Sequence, residues 1–277
     1  MSFNDILPPA TRRYKYEGYD QCLAIMEQES ERLEREEDAL GCAYNPYFIM
    51  DIDERSFLEC FVNSGENLLT LSWEIYDYVS QSALLKMESS THAVTIGAFN
   101  TIFSAWARRV DYPLLDPTTT GNVRGETRIK KADISWSPQN MPCRSAKWPT
   151  FVGEVAWSER RSKLQEDMKF WLDNSGSSVN AAITISLSRS KIMVESWERS
   201  DGSPPSPNQK IEILRQPRPG RPKVNGHLQI KFSDVFLREK RNGEIDFILT
   251  ERDMNELARH IWGQDNRTTR KKQIGRT

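Results

Sequence analysis

Two carboxylate residues lie in segments whose pattern predicts neighbouring strands of one sheet. Asp133 lies inside the alternating segment 127–136, and Glu154 lies near the end of the next such segment. Because residues two apart in a strand share a face, Glu154 is predicted on the same face as Val152 and Ala156. Two carboxylates on adjacent strands could hold one Mg²⁺ ion, which takes oxygen ligands and keeps several waters. Such an ion activates water and stabilises a phosphoryl transition state.

The segments around the two carboxylates predict a layered domain. Ser90 or Thr91 is a suitable N-cap for a helix whose apolar residues follow helical spacing, namely Val94, Ala98, Ile102, Ala105 and Trp106. Turn signals then divide the chain into a strand over 127–136, a strand over 150–157, a helix over 159–173, and strands over 179–187 and 191–197. This order predicts an α/β (α+β) fold with a mixed central β-sheet flanked by helices.

Three short motifs in this region resemble the core of the PD-(D/E)XK nuclease superfamily, and more closely an uncharacterised fungal group of restriction-endonuclease-like proteins. The motifs are Lys131-Ala132-Asp133-Ile134-Ser135-Trp136, then Pro149-Thr150-Phe151-Val152-Gly153-Glu154-Val155, then Leu164, Asp167, Trp171 and Leu172 on a helix. The resemblance covers about residues 86–198. It implies a restriction-endonuclease-like core, a metal bound by Asp133 and Glu154, and hydrolysis of phosphodiester bonds.

The chain departs from the superfamily pattern at two positions. Ala132 stands where Pro is expected before the first Asp, and Ala156 stands where Lys is expected two residues after the Glu. The lysine positions or polarises the attacking water in the family, so its absence bears on catalysis. Three residues are candidates for the basic group in its place: Lys131, Arg161 and Lys163.

The three basic candidates differ in their predicted placement. Lys131 shares the face of Asp133 if the strand is regular. At about 100° per residue, Arg161 (with Arg160) flanks the inward stripe of the following helix, whereas Lys163 points further from it. An arginine stays charged and is a poor general base, but it could clamp a phosphate.

An acidic residue from the region before the first helix often completes the superfamily's site, and Glu88 is the candidate here. A first-turn charge that the helix dipole favours is the alternative interpretation of Glu88. His92, His227 and His260 show no ligand spacing, and His92 is predicted as an N-terminal helix residue.

Composition limits the classes of protein that need to be considered. The chain has 277 residues, Lys+Arg 38 against Asp+Glu 39, and 38% hydrophobic residues, which is a globular composition. Its 4 Cys form no C-x-x-C pair and match no zinc template, so reduced thiols are expected. The sequence shows no signal peptide and no apolar run long enough to cross a membrane. These features predict a soluble intracellular protein, cytoplasmic or nuclear.

Charge is unevenly distributed along the chain. We predict an acidic helical segment over 1–52, a restriction-endonuclease-like domain over 53–262 and a basic disordered tail over 263–277. Pro-rich segments at 201–207 and 215–222 are predicted as loops. The net charge of the whole chain is close to zero because acidic and basic stretches offset each other, and residues 215–223 are one of the basic stretches. The net charge therefore does not count against a phosphate-bearing partner.

The leading functional prediction is a Mg²⁺-dependent (or Mn²⁺-dependent) nuclease. Asp133 and Glu154 would bind the metal, Glu88 would complete the site, and Lys131, Arg161 or Lys163 would help. Nucleic acid, with DNA favoured, is the expected partner, a membrane is not, and no oligomeric state is predicted. The alternative is a catalytically inactive relative that binds nucleic acid or protein. A third hypothesis is an interaction scaffold built on the acidic helix over 27–38.

Overall fold

The local signals in the sequence produce short strands and helices that alternate along the chain. The computed structural model describes residues 6–8, 10–40, 45–65, 68–111, 113–118, 121–139, 148–157, 161–200, 203–217 and 220–274, and only the backbone of 36–40, 68, 157, 200 and 264–274. The helices are α1 (Tyr19–Leu40), α2 (Glu54–Phe57), α3 (Leu68–Ser72), α4 (Ser90–Ala107), α5 (Arg161–Asp173), α6 (Phe232–Phe236) and α7 (Glu251–Ile274), and a π-helical turn spans Leu58–Val62.

The strands follow the same chain order. They are β1 (Arg12–Lys15), β2 (Tyr47–Asp51), β3 (Trp73–Asp77), β4 (Ser82–Lys86), β5 (Leu115–Pro117), β6 (Asn122–Arg124), β7 (Arg128–Lys131), β8 (Ile134–Pro138), β9 (Phe151–Trp157), β10 (Ala181–Leu187), β11 (Lys191–Ser200), β12 (Ser203–Leu214), β13 (Lys223–Val224), β14 (Leu228–Ile230) and β15 (Phe247–Leu249). Within the described residues, no helix combines the length and the apolar character that crossing a bilayer requires.

The chain folds into two compact units that do not follow the predicted domain boundaries. Unit 1 contains Met1–Ser89, Thr119–Ala132 and Ser158–Glu166, and unit 2 contains Ser90–Thr118, Asp133–Trp157 and Asp167–Thr277. Residues 53–89, which the sequence assigned to the main domain, therefore belong to the same unit as the N-terminal segment.

Unit 1 is built on a six-stranded sheet in the order β1-β2-β4-β3-β7-β6, in which β1 and β2 are parallel and the other pairs are antiparallel. Its core is aromatic: the Phe57 ring stacks on Tyr76 at 4.2 Å and meets Trp73 edge-on at 5.0 Å. Helix α1 packs against this core through Cys22 and Met26, both buried. The acidic helix is therefore docked on its own unit, which counts against the scaffold hypothesis.

Unit 2 is built on a seven-stranded sheet in the order β13-β12-β11-β10-β9-β8-β5. Strands β9 and β10 are parallel and are joined through α5, whereas the other neighbouring pairs are antiparallel. Phe103 of α4 is fully buried, with its ring 4.6 Å from that of Phe151 on β9 and 5.0 Å from that of Phe247. The mixed α/β fold with helices flanking a mixed sheet confirms the predicted fold class, including the order α4, β8, β9, α5, β10, β11.

Four local predictions need correction or fall partly outside the described residues. The segment 127–136 is not one strand, because β7 ends at Lys131 in the sheet of unit 1 and β8 begins at Ile134 in the sheet of unit 2. On α4 the predicted Trp106 is buried, but the rest of the buried face carries Thr95, Phe99 and Phe103 rather than Val94, Ala98, Ile102 and Ala105. Helix α7 continues to Ile274, into the predicted disordered tail. Cys22 and Cys60 are free thiols, and Cys42 and Cys143 lie outside the described residues.

The Pro-rich segment at 203–207 was predicted as a loop but belongs to β12. A proline has no N–H to donate and is tolerated in a strand at an edge or a bulge. Both conditions hold here: β13 pairs only with Ile213 and Leu214 of β12, and the β11–β12 register shifts next to Trp197 and Glu198. The prolines of β12 therefore lie where a strand tolerates a residue without a backbone N–H.

Candidate functional site

Asp133 directly precedes β8 in unit 2, and its carboxylate contacts a backbone amide and a histidine ring. Its Oδ2 accepts a hydrogen bond from the backbone N–H of Val155 at 2.8 Å and contacts Nε2 of His92 at 3.1 Å. The β8–β9 register pairs Ile134 with Gly153, so one further step places Asp133 opposite Glu154. The backbones of these two residues are therefore neighbours, but Asp133 lies between β7 and β8 and not inside a strand as predicted.

Gly153 explains how β9 fits between its neighbours beside Glu154. A Cβ added to Gly153 would lie 3.1 Å from Cβ of Ile134 and 3.2 Å from Cγ1 of Ile183. Both distances are tighter than most real Cβ contacts, and both neighbours are buried on the strands that flank β9. A glycine therefore allows β8 and β10 to pack closely at the position that precedes the acidic residue.

Glu154 is buried, and its carboxylate faces α5. Its Oε1 accepts a hydrogen bond from Nε1–H of Trp171 at 2.6 Å. Asp167 lies one turn before Trp171, on the same face of the helix, because residues four apart in a helix are neighbours. A carboxylate oxygen of Asp167 and one of Glu154 lie within 4.8 Å of each other, and both side chains are buried.

Two buried carboxylates at this separation repel each other unless a cation or a proton lies near them. Oxygen ligands of one Mg²⁺ ion, each about 2.1 Å from it, are at most about 4.2 Å apart. A small side-chain movement would therefore bring both carboxylates of the pair Glu154 and Asp167 onto one ion. The donor set suits a hard divalent cation.

Three residues of this site were not assigned a role from the sequence. His92 is buried near the start of α4 and contacts Asp133, which lies 41 positions further along the chain, and no local spacing reveals this contact. Asp167 and Trp171 stand within the motif that carries the family resemblance, but the motif alone gave them no partner. The sequence feature that could have identified them is their four-residue spacing on the helix that follows the strand with Glu154.

The basic candidates are placed differently from the prediction. Lys163 is buried, and its Nζ lies 2.6 Å from Oε1 of Glu74 in unit 1, whereas Arg161 is exposed at the first residue of α5. The buried face of α5 includes both Leu164 and the residue directly before it, Lys163. The expectation that Arg161 points inward and Lys163 outward is therefore wrong, and Arg160 lies outside the described residues.

Lys131 and Glu88 also belong to unit 1. The Nζ of Lys131 donates a hydrogen bond to the carbonyl of Thr70 and lies 4.2 Å from the centre of the Trp73 ring. Because β7 ends at Lys131, no regular strand joins Lys131 to Asp133, and the condition for the two side chains to share a face is not met. Glu88 is exposed, two residues before α4 begins.

Burial lowers the pKa of Lys131 to about 8 from its ordinary value of 10.5. Above pH 8 the unfolded chain keeps a proton that the folded chain has lost, so the free energy of unfolding should rise as the pH increases from about 8 to about 10.4. We expect this rise to be absent from Lys131→Met. A ¹³C NMR titration of dimethylated lysines should show one signal with a midpoint near pH 8 that Lys131→Arg lacks; a midpoint above about 10 would contradict the assignment.

Comparisons with known proteins add little to this geometry. No protein-family profile and no curated protein matches the chain. Among solved structures, similarity is found to a protein from Anabaena variabilis named as a "putative nuclease belonging to DUF820", with 9% sequence identity and a TM-score of 0.34. The match covers 45% of this chain and 71% of that chain. A similarity this low supports no argument about function, so the proposal below depends on the residues themselves.

Proposed function

We propose that this protein is a divalent-metal-dependent phosphodiester hydrolase with a restriction-endonuclease-like core, and that DNA is its preferred substrate. The observation that carries the proposal is the buried pair of Glu154 and Asp167, whose carboxylate oxygens lie within 4.8 Å. Asp133 directly precedes the neighbouring strand β8, one register step beyond Ile134. Oxygen ligands of this kind are those that Mg²⁺ and Mn²⁺ prefer.

The chain's own residues would hold the carboxylates in fixed orientations. Trp171 donates to Glu154, and the backbone of Val155 and the ring of His92 hold Asp133. Ligands that are held in this way lose little entropy when they bind an ion. A bound Mg²⁺ would supply Lewis-acid stabilisation of the phosphoryl group and a water of lowered pKa.

The basic group and the last acidic ligand remain part of the proposal. Ala156 stands at the position where the nuclease superfamily that the chain resembles carries its lysine. Another side chain must therefore position or polarise the attacking water. Lys163 is the leading candidate because it is a buried lysine on the helix that carries Asp167; Lys131 and Arg161 are the others. Glu88 is proposed as the further acidic residue.

A second candidate function is an inactive fold that binds nucleic acid or protein. Two observations favour it: Ala156 replaces the lysine, and the carboxylates of Asp133 and Glu154 already accept hydrogen bonds from the protein. A structural role for these carboxylates would require no ion.

Cleavage of supercoiled plasmid DNA separates the two candidates. Hydrolysis is expected with Mg²⁺ or Mn²⁺, and it should stop when EDTA is added. Asp133→Ala should cleave more slowly than the wild type at equal folded concentration. Absence of cleavage with every divalent ion would favour the inactive binding module, and equal cleavage rates for Asp133→Ala and the wild type would contradict the role proposed for Asp133.

A further inference from the structure

A cavity in unit 2 lies apart from the carboxylate pair. Its volume is about 900 Å³, and it is bordered by α7 and by residues of the Pro-rich segment that follows β12. Helix α7 packs against β12 and β13, whereas Glu154 lies on β9, with β10 and β11 between. The cavity therefore cannot be the same site as the proposed metal centre.

The lining of this cavity is rich in arginine. Among the described residues that line it are four arginines, Arg215, Arg221, Arg252 and Arg259, and two glutamates, Glu251 and Glu256, so these side chains carry an excess of two positive charges. A guanidinium presents donors in a planar fork that matches the oxygens of a phosphate. This composition favours a phosphate-bearing ligand over a neutral one.

One arginine is held in place before any ligand binds. The guanidinium of Arg215 lies 5.5 Å from the centre of the Trp262 ring and donates to the carbonyl of Arg189 at 3.1 Å. The indole of Trp262 is fixed in turn by a hydrogen bond to the carbonyl of Ser188 at 3.2 Å. An ordered guanidinium loses less conformational entropy on binding than a mobile one.

Two further arginines are available for an anion. Arg221 and Arg252 are exposed, and within the described residues neither forms an ion pair with a carboxylate. Arg259 and Glu256 form a pair at 3.7 Å, but both are well exposed, so this pair contributes little. The positive charges of Arg221 and Arg252 are therefore not neutralised by the described part of the chain.

We propose that this cavity binds the phosphodiester backbone of a single-stranded nucleic acid. A cavity of about 900 Å³ has the size of a small-molecule site, so it can take a few nucleotides of one strand but not a duplex. Arginines along a groove provide the electrostatic path that single strands follow. The proposal does not depend on hydrolysis at Glu154 and Asp167.

Fluorescence anisotropy with a labelled single-stranded DNA of about 20 nucleotides, in EDTA, tests the proposal. The double variant Arg221→Ala/Arg252→Ala should weaken binding about tenfold. The slope of the logarithm of the association constant against the logarithm of the salt concentration should fall in magnitude by about 1.4, because two phosphate contacts are lost. The matched control is Arg108→Ala/Arg109→Ala, which removes two exposed arginines after the last turn of α4. It should change the affinity by less than about twofold.

Two results would overturn the proposal. One is an equal loss of affinity in both double variants, or no loss in either, because binding would then not be located in the cavity. The other is competition by poly-glutamate as effective as that of unlabelled DNA, which would identify a site for acidic polypeptides. All four substituted residues are exposed, so circular dichroism should show folded protein in each case.

Discussion

Glu154→Gln is expected to reduce metal-dependent DNA cleavage by at least about 10³-fold, which corresponds to about 4 kcal/mol of lost transition-state stabilisation. The glutamine keeps the volume of the side chain, and its carbonyl oxygen can still accept the hydrogen bond from Trp171. The substitution removes the negative charge that a divalent cation requires. Calorimetric titration with Mn²⁺ should show a parallel loss of affinity.

The same variant should not be less stable than the wild type without metal. Glu154 and Asp167 are buried close together, so neutralising one of them relieves a repulsion. Sites that bind a ligand commonly carry such a stability cost. We therefore expect the Tm in EDTA to be unchanged or raised, a result that separates loss of the metal from loss of the fold.

Glu244→Gln serves as the control for Glu154→Gln. Glu244 is a largely buried carboxylate of unit 2 that pairs with Arg238 at 2.6 Å, and it plays no part in the proposed site. Its cleavage rate per folded molecule should lie within about twofold of the wild type. Asp167→Asn should reproduce the loss seen with Glu154→Gln. Wild-type rates in both site variants would remove the acidic pair from the reaction.

The sequence predicted well those features that local pattern determines. The order of elements from α4 to β11 follows from hydrophobic periodicity and turn residues, which act over a few positions. Thr250 and Asp253 at the start of α7 have the residue types and the three-residue spacing that predict a capping box, and the structure contains both reciprocal hydrogen bonds. Each of these predictions needed only residues that lie close together in the chain.

Non-local pairing could not be predicted in the same way. An alternating segment indicates extended backbone, but it does not tell to which sheet each half belongs, so β7 and β8 were merged at Asp133. The contact of His92 with Asp133 joins a helix start to a strand end, and no spacing rule connects them. On α4 two apolar stripes were available, and the larger rings of Phe99 and Phe103 take the buried side.

Glu74→Gln is expected to lower the free energy of unfolding by about 3–5 kcal/mol, because it removes the negative charge of a buried carboxylate that neighbouring lysines contact. Within unit 1, the Oε1 of Glu74 lies 2.6 Å from Nζ of Lys163 and 3.0 Å from Nζ of Lys130, while Oε2 lies 3.9 Å from Nζ of Lys86. Lys130, Lys163 and Glu74 are all at least 95% buried. The neutral amide would leave these ammonium groups with one negative charge fewer in a region of low dielectric.

Urea unfolding of Glu74→Gln and of the double variant Glu74→Gln/Lys163→Met measures this effect. The double variant removes one of the lysines as well, so it should recover part of the lost stability, which gives a coupling free energy of about 1–3 kcal/mol. Glu59→Gln is the matched control, since Glu59 pairs with Arg55 on the exposed surface and should change stability by less than about 0.5 kcal/mol. A loss below about 1 kcal/mol in Glu74→Gln would mean that Glu74 is not the principal counter-charge of these lysines. Another group would then have to stabilise the buried charge of Lys163.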